Sequence, residues 1–294
     1  MTQPSSPRDP ALHAIALMVL AVGIFALLDT TAKYLSRWYP VPAIVWARYS
    51  VNLALLLVYF GIRGRYRRMR TARPGIQALR GLMLGSATLL YFTSLTVLQI
   101  ADAAAIGFVL PLFVALLAVP MLRERLDPPR LAAVAIGLAG ALVIVRPGSG
   151  VFTLYALLPM GMALCNALYQ ILTRKVAGVE HPLTSLFYGA LVGTLMFSAL
   201  LPWYWRTPVA PLHWALFFLL GVLGLAGHLA LIRAYEHAAA TLLAPFVYTQ
   251  LLWVTLLGYL VFGQLPDRWS LAGMLIIVAS GLYLVSRHRL VTRT

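Results

Sequence analysis

Residues 238–264 read AAATLLAPFVYTQLLWVTLLGYLVFGQ, a run without a formal charge and long enough to cross a bilayer, which takes about 20 apolar residues. A helix that only anchored in lipid would need none of the polar groups at Tyr248, Thr249, Gln250, Thr255 and Tyr259, nor Pro245 within it. The run therefore reads as one wall of an internal path, with its aromatic face, Tyr248 with Trp253 to one side, turned towards a solute.

The rest of the chain agrees with a membrane reading. Hydrophobic residues make up 61% of the 294 residues and charged ones 11%, against about 25% charged in soluble domains. Mean hydropathy is +0.86. Ten apolar runs stand out between Pro, Gly and Arg clusters, near 12–35, 41–61, 76–98, 101–121, 130–146, 154–174, 183–201, 213–235, 239–262 and 270–286. The net charge of +15 serves topology rather than nucleic acid, since no aromatic-interleaved basic module accompanies it. With the N-terminus inside, Lys and Arg number seventeen on the cytoplasmic side against four outside, with Lys33 and Arg48 inside spans. Both termini are then expected in the cytoplasm. The Arg63–Arg73 cluster meets anionic headgroups, and Trp203, Trp205 and Trp214 mark the outer interface. Cys165 is alone, so no intrachain disulfide forms.

Punctuation repeats at an offset of 140 residues: Pro42 and Pro182, Gly81 and Gly221, Asp127 and Asp267, with Glu124 answered by Gln264. Five spans per half is an odd number, so the halves must be inverted relative to each other. The expected fold is an all-α membrane protein of ten transmembrane helices. It divides into residues 1–150 and 151–294, two inverted five-helix repeats around a central cavity, the usual build of secondary transporters.

Ionisable residues inside spans mark function by default. Asp29 and Lys33 stand four apart on the first span, in the favourable order for a helical pair. With Arg48 and Asp102 they form either an outer gate that meets a zwitterion or a structural ion-pair set with a snorkelling lysine. His228, on a face with Gly221 and Gly224, binds solute, carries a proton or is a neutral imidazole satisfied by a neighbouring helix. Tyr91, Tyr169, His228, Tyr248 and Trp253 are the candidate substrate contacts; hydroxyl and aromatic side chains also glue helices together. The fifth and tenth spans, with Gly137, Gly140 and Gly273, are assigned to scaffold or dimer contact. No metal, nucleotide or nucleophile motif occurs, so neither a cofactor nor catalysis is expected.

Two segments carry a family resemblance: Ala101-Asp102-Ala103-Ala104-Ala105 through Pro111-Leu112-Phe113 to Arg123-Glu124-Arg125-Leu126, and Ala244-Pro245-Phe246-Val247-Tyr248 through Phe262-Gly263-Gln264. In these the chain resembles the EamA type of the drug/metabolite transporter superfamily, most of all its YddG-like exporters of aromatic and other neutral amino acids. Gln264 departs from the family's second Glu. The resemblance implies a basket lined by the first, third, fourth, sixth, eighth and ninth helices. The expectation is a bacterial inner-membrane carrier that exports small amphipathic metabolites, chiefly amino acids, by alternating access. The alternatives are a broad drug or cofactor carrier, and a membrane enzyme acting on lipid-linked substrates.

Overall fold

The structure, a computed structural model, describes residues 10–122, 128–145, 154–176, 179–238, 243 and 246–291, all of them helix or connection with no strand. The helices are α1 Pro10–Leu35, α2 Val41–Ile62, α3 Pro74–Leu95, α4 Ile100–Gly107, α5 Leu110–Leu122, α6 Pro128–Val145, α7 Leu157–Val176, α8 Pro182–Ser198, α9 Leu201–Tyr204, α10 Pro211–His237, α11 Thr249–Phe262 and α12 Arg268–Val291. Proline does much of the delimiting. Pro42, Pro74, Pro182 and Pro211 each sit in a first helical turn, where the missing N–H has no helical acceptor to lose. At the other end of α11, Gly263 adopts the left-handed φ of 66° and returns its N–H to Tyr259, a glycine C-cap.

Four stretches are apolar and long enough to cross a bilayer alone: 11–35, 41–62, 100–121 and 211–237. Helices α3 and α7 are long enough but are not among them. These two pack along each other, and they bring Gln77, Arg80, Tyr169 and Thr173 to their contact. These four polar side chains are therefore turned inward.

The expected fourth span is broken. Helix α4 ends at Gly107, Phe108 and Val109 turn, and α5 starts at Leu110. Pro111 accounts for it: without an N–H it cannot bond the carbonyl of Gly107 four residues back. Every residue of α4 is buried. Pro245 of the 238–264 run lies outside the described residues, as does Glu124.

Helix α1 packs on α10 and α3 on α7; α2 packs on α10 and α3 on α8; α2 and α8 meet each other, as do α6 and α12. Glycine sets the distance at two crossings. A Cβ at Gly81 would stand 2.6 Å from the Cβ of Val192, and one at Gly221 would stand 2.4 Å from that of Val51. Helices α6 and α12 meet as closely, because Cβ atoms at Gly140 and Gly273 would fall 3.0 and 2.6 Å from the other's backbone oxygen. The small residues assigned to scaffold or dimer contact are thus in use within the chain, and the outer face of the pair is apolar and exposed at Ile136, Leu142 and Leu275.

Candidate functional site

Between α2, α3, α7, α8 and α10 the side chains leave a narrow cleft lined by Arg48, Tyr49, Asn52, Arg80, Tyr169, Ser185 and His228, among others. Arg48 projects from the second turn of α2 and is 8% exposed. Its Nη1 donates to Thr88 Oγ1 at 3.0 Å, and its guanidinium lies 5.2 Å from the Tyr49 ring and 5.8 Å from that of Phe92, a cation–π setting. The Tyr49 hydroxyl shares Thr88 at 2.8 Å.

Arg80 is one of the seventeen basic residues that the sequence reading puts on the cytoplasmic side. It is 3% exposed, inside α3. Nε donates to Thr173 Oγ1 at 2.7 Å, Nη2 to the Tyr169 hydroxyl at 2.9 Å, and Nη1 to Gln77 Oε1 and the Ser185 carbonyl. The Tyr169 ring lies 4.7 Å from its guanidinium. Arg80 thereby ties α3 to α7 and α8. The sequence held a signal: it stands one and a half turns past Pro74, inside the apolar run, with Gln77 on its own face.

The other expected site residues are spread over several places. Tyr169 and His228 line the cleft with Arg48, His228 edge-on to Phe25 at 5.1 Å. Asp29 is buried and accepts from Gln250 at 3.5 Å; the Tyr91 hydroxyl lies beside it outside good hydrogen-bond geometry, and Arg48 is the opposing charge acting on it. Lys33 turns away from Asp29, so the expected helical pair is replaced by another contact. Its ammonium donates to the carbonyls of Leu95, at 2.9 Å, and Leu98, where unsatisfied carbonyls end α3 and favour a cation. Asp102, in the first turn of α4, is within electrostatic reach of Lys33. Tyr248 packs on Phe108 at 5.1 Å, beside the α4–α5 break. Trp253 stands outside the cleft, 39% exposed, its indole against Gly23 of α1. Helices α2 and α8 thus line this cleft, where the resemblance implied the first, fourth and ninth spans.

Both ends of the helical body are tied across. At the end bearing the exposed arginines, Glu180 Oε1 accepts from Thr71 Oγ1 at 2.6 Å and Ala72 N at 2.9 Å, and Arg73 donates to the Lys175 carbonyl. At the other end the Tyr39 hydroxyl lies 2.7 Å from His213 Nδ1 and accepts from Val209 N at 3.3 Å, while Trp46 Nε1 donates to Ser198 Oγ.

A polar, largely buried cleft at the junction of many helices, in a body tied across at both ends, is the kind of arrangement a solute carrier uses. The chain belongs to the EamA-like transporter family, which matches it twice, over residues 12–146 and 153–287. Among curated relatives it is 28% identical to the S-adenosylmethionine uptake transporter of Rickettsia prowazekii, over 93% of this chain and 92% of that one. It is 28% identical to the pseudopaline exporter CntI of Pseudomonas aeruginosa, over 92% and 95%. With the riboflavin transporter of Vibrio cholerae the identity is 29%, over 90% of each. A crystal structure 17% identical superposes with a TM-score of 0.65 over 97% of this chain and 99% of its own, which supports the fold. The protein is an integral membrane transporter of small molecules and not an enzyme.

Proposed function

We propose that the chain is a secondary carrier of small amphipathic metabolites, with neutral and aromatic amino acids as its leading solutes and export as its direction, working by alternating access. The observation that carries this reading is the position of the cleft. It lies between α2 and α3 of the first half and α7, α8 and α10 of the second, and both end latches join one half to the other. Rocking of the halves would break one latch at a time and expose the cleft to alternate sides.

Ten membrane spans in two inverted repeats, residues 1–150 and 151–294, are part of the proposal. It is supported by the two matches to one family and by pairings that exchange under the repeat. The contact of α1 with α10 answers that of α7 with α3, and Val51 in Gly221 answers Val192 in Gly81. Exposed Arg63, Arg65, Arg67 and Arg68 at one end, and exposed Trp203, Trp205 and Trp214 at the other, support cytoplasmic termini in a bacterial inner membrane. A homodimer through α6 and α12 would use their outer faces, Ile136, Leu142 and Leu275.

A broader metabolite or cofactor carrier is the second reading, favoured by relatives named for three unlike solutes and for both uptake and export. Counterflow in proteoliposomes tests both. Labelled amino acids, S-adenosylmethionine and riboflavin are offered with and without a pH gradient. Exchange of amino acids alone supports the first reading, and exchange of the larger solutes supports the second. No exchange of any of them sinks both.

A further inference from the structure

The cleft has an unbalanced charge inventory. Its lining brings together the guanidiniums of Arg48 and Arg80 and contains no Asp or Glu. Both arginines are buried, and arginine stays charged in any protein setting. Two like charges in a poorly solvated space are costly unless something negative joins them.

The two differ in what they have left to give. Arg80 has its Nε and both Nη atoms engaged, all on neutral acceptors. Arg48 uses Nη1 on Thr88, and its Nε is buried without an acceptor. Nε and the neighbouring Nη form the edge with which arginine takes both oxygens of a carboxylate in parallel bonds. Helix α10 comes close to Arg48 at a glycine: a Cβ at Gly224 would lie 3.4 Å from Arg48 Nε, in ordinary contact with it. Asn52 Oδ1, one turn along α2 and lining the same cleft, is also buried without a donor. Asp29, the carboxylate nearest in effect to Arg48, is held towards Gln250 and is not part of the lining.

We infer that the cleft is a carboxylate site: Arg48 takes the anionic group of the solute along its Nε edge, Arg80 supplies the second positive charge, and Asn52 Oδ1 accepts an N–H from the same solute. The inference rests on the carrier reading and narrows it to solutes with a free carboxylate, of which amino acids are one kind. Arg80 acts as a positioning residue, fixing α3, α7 and α8 around the site while adding its field.

The test uses the full-length chain purified in detergent, unfolded by heat at constant ionic strength in the presence of matched pairs. Benzoate is compared with benzamide, and phenylalanine with phenylalaninamide. Each acid is expected to raise the melting midpoint at a concentration at least tenfold below that of its amide. Arg48→Gln should abolish that preference, and Arg48→Lys should keep part of it. Gly224→Val leaves both arginines in place and sets a side chain against Arg48 Nε, so it should abolish the preference too, which covers the case in which Arg48→Gln fails to fold. Equal shifts from acid and amide, no shift from either acid, or full preference in Gly224→Val overturns the carboxylate site. Counterflow is read separately. Transport without acid preference leaves the carrier standing and removes the site, whereas acid preference without transport keeps the site and removes the carrier reading.

Discussion

The two ends of the molecule are tied by equivalent connections with different chemistry. At the arginine-rich end a carboxylate, Glu180 from the α7–α8 connection, grips a hydroxyl and a backbone N–H of the α2–α3 connection. At the other end a phenol from the α1–α2 connection, Tyr39, meets an imidazole and a backbone N–H ahead of and within α10. The shape of the latch is shared, while one turns on a carboxylate and is exposed in part and the other is aromatic and buried. Rings from Trp38, Tyr39 and Phe217 surround the second, with His213 packed 5.0 Å from Trp38 and Tyr39 5.1 Å from Phe217. The lesson is that two ends of a duplicated frame can be held by different side chains, so that a substitution at one end leaves the bonds of the other in place.

Cross-links would break the comparison most forcefully. With Cys165→Ala as background, a short bis-maleimide across Thr71→Cys and Glu180→Cys, or across Tyr39→Cys and His213→Cys, should each cut counterflow at least tenfold. An end whose cross-link leaves exchange intact is not a gate. Next in size, Glu180→Gln weakens a charge-assisted pair of bonds and should lower stability by about 1–2 kcal/mol, read as a fall in melting midpoint. It should also raise thiol labelling of a cysteine placed at Lys175, without changing labelling at Trp46→Cys. Tyr39→Phe should cost about 1 kcal/mol and give the mirror image, with Trp46→Cys labelled faster and the Lys175 site unchanged. A variant that loosens both ends together would show that the latches are coupled.

The smallest effect concerns His181, at the N-cap of α8 beside the carboxylate latch. Its Nδ1 accepts from Leu183 N, so the cap needs the neutral ring. Burial, and then Arg68 and Arg65, lower its pKa from the ordinary 6.5. The folded protein therefore binds fewer protons here than the unfolded chain, so the stabilisation is present above pH 6.5 and is lost as pH falls below it. His181→Asn, which caps without titrating, should flatten that part of the melting-point profile between pH 5 and 7. An unchanged slope would assign the pH dependence elsewhere.

Much of the frame was legible in the chain. Apolar runs and prolines fixed α1, α2, α8 and α10 to within a few residues, because a bilayer demands length and a first-turn proline is a local signal. Lys33 was misread for the opposite reason. Its spacing from Asp29 is a local fact, whereas the carbonyls of Leu95 and Leu98 that hold it come from 62 and 65 residues away. Arg80 shows the same limit: charge counting places an arginine by its neighbours in sequence, and only the approach of α7 and α8 gives it three of its four acceptors. Trp253 carried the aromatic signal expected of a solute wall, but its side of α11 turns past Gly23 and out of the body. The face of a helix that meets a cavity is decided by its neighbours, which one span's sequence does not name.

The interruption at Phe108–Val109 has a consequence for how the protein breathes. A continuous helix protects its amides as one unit, whereas the missing bond from Pro111 to Gly107 divides this one into two cooperative pieces. Deuterium should therefore enter α4 and α5 at separate rates. The slower set should belong to the eight enclosed residues of α4, a buried peg among the longer helices.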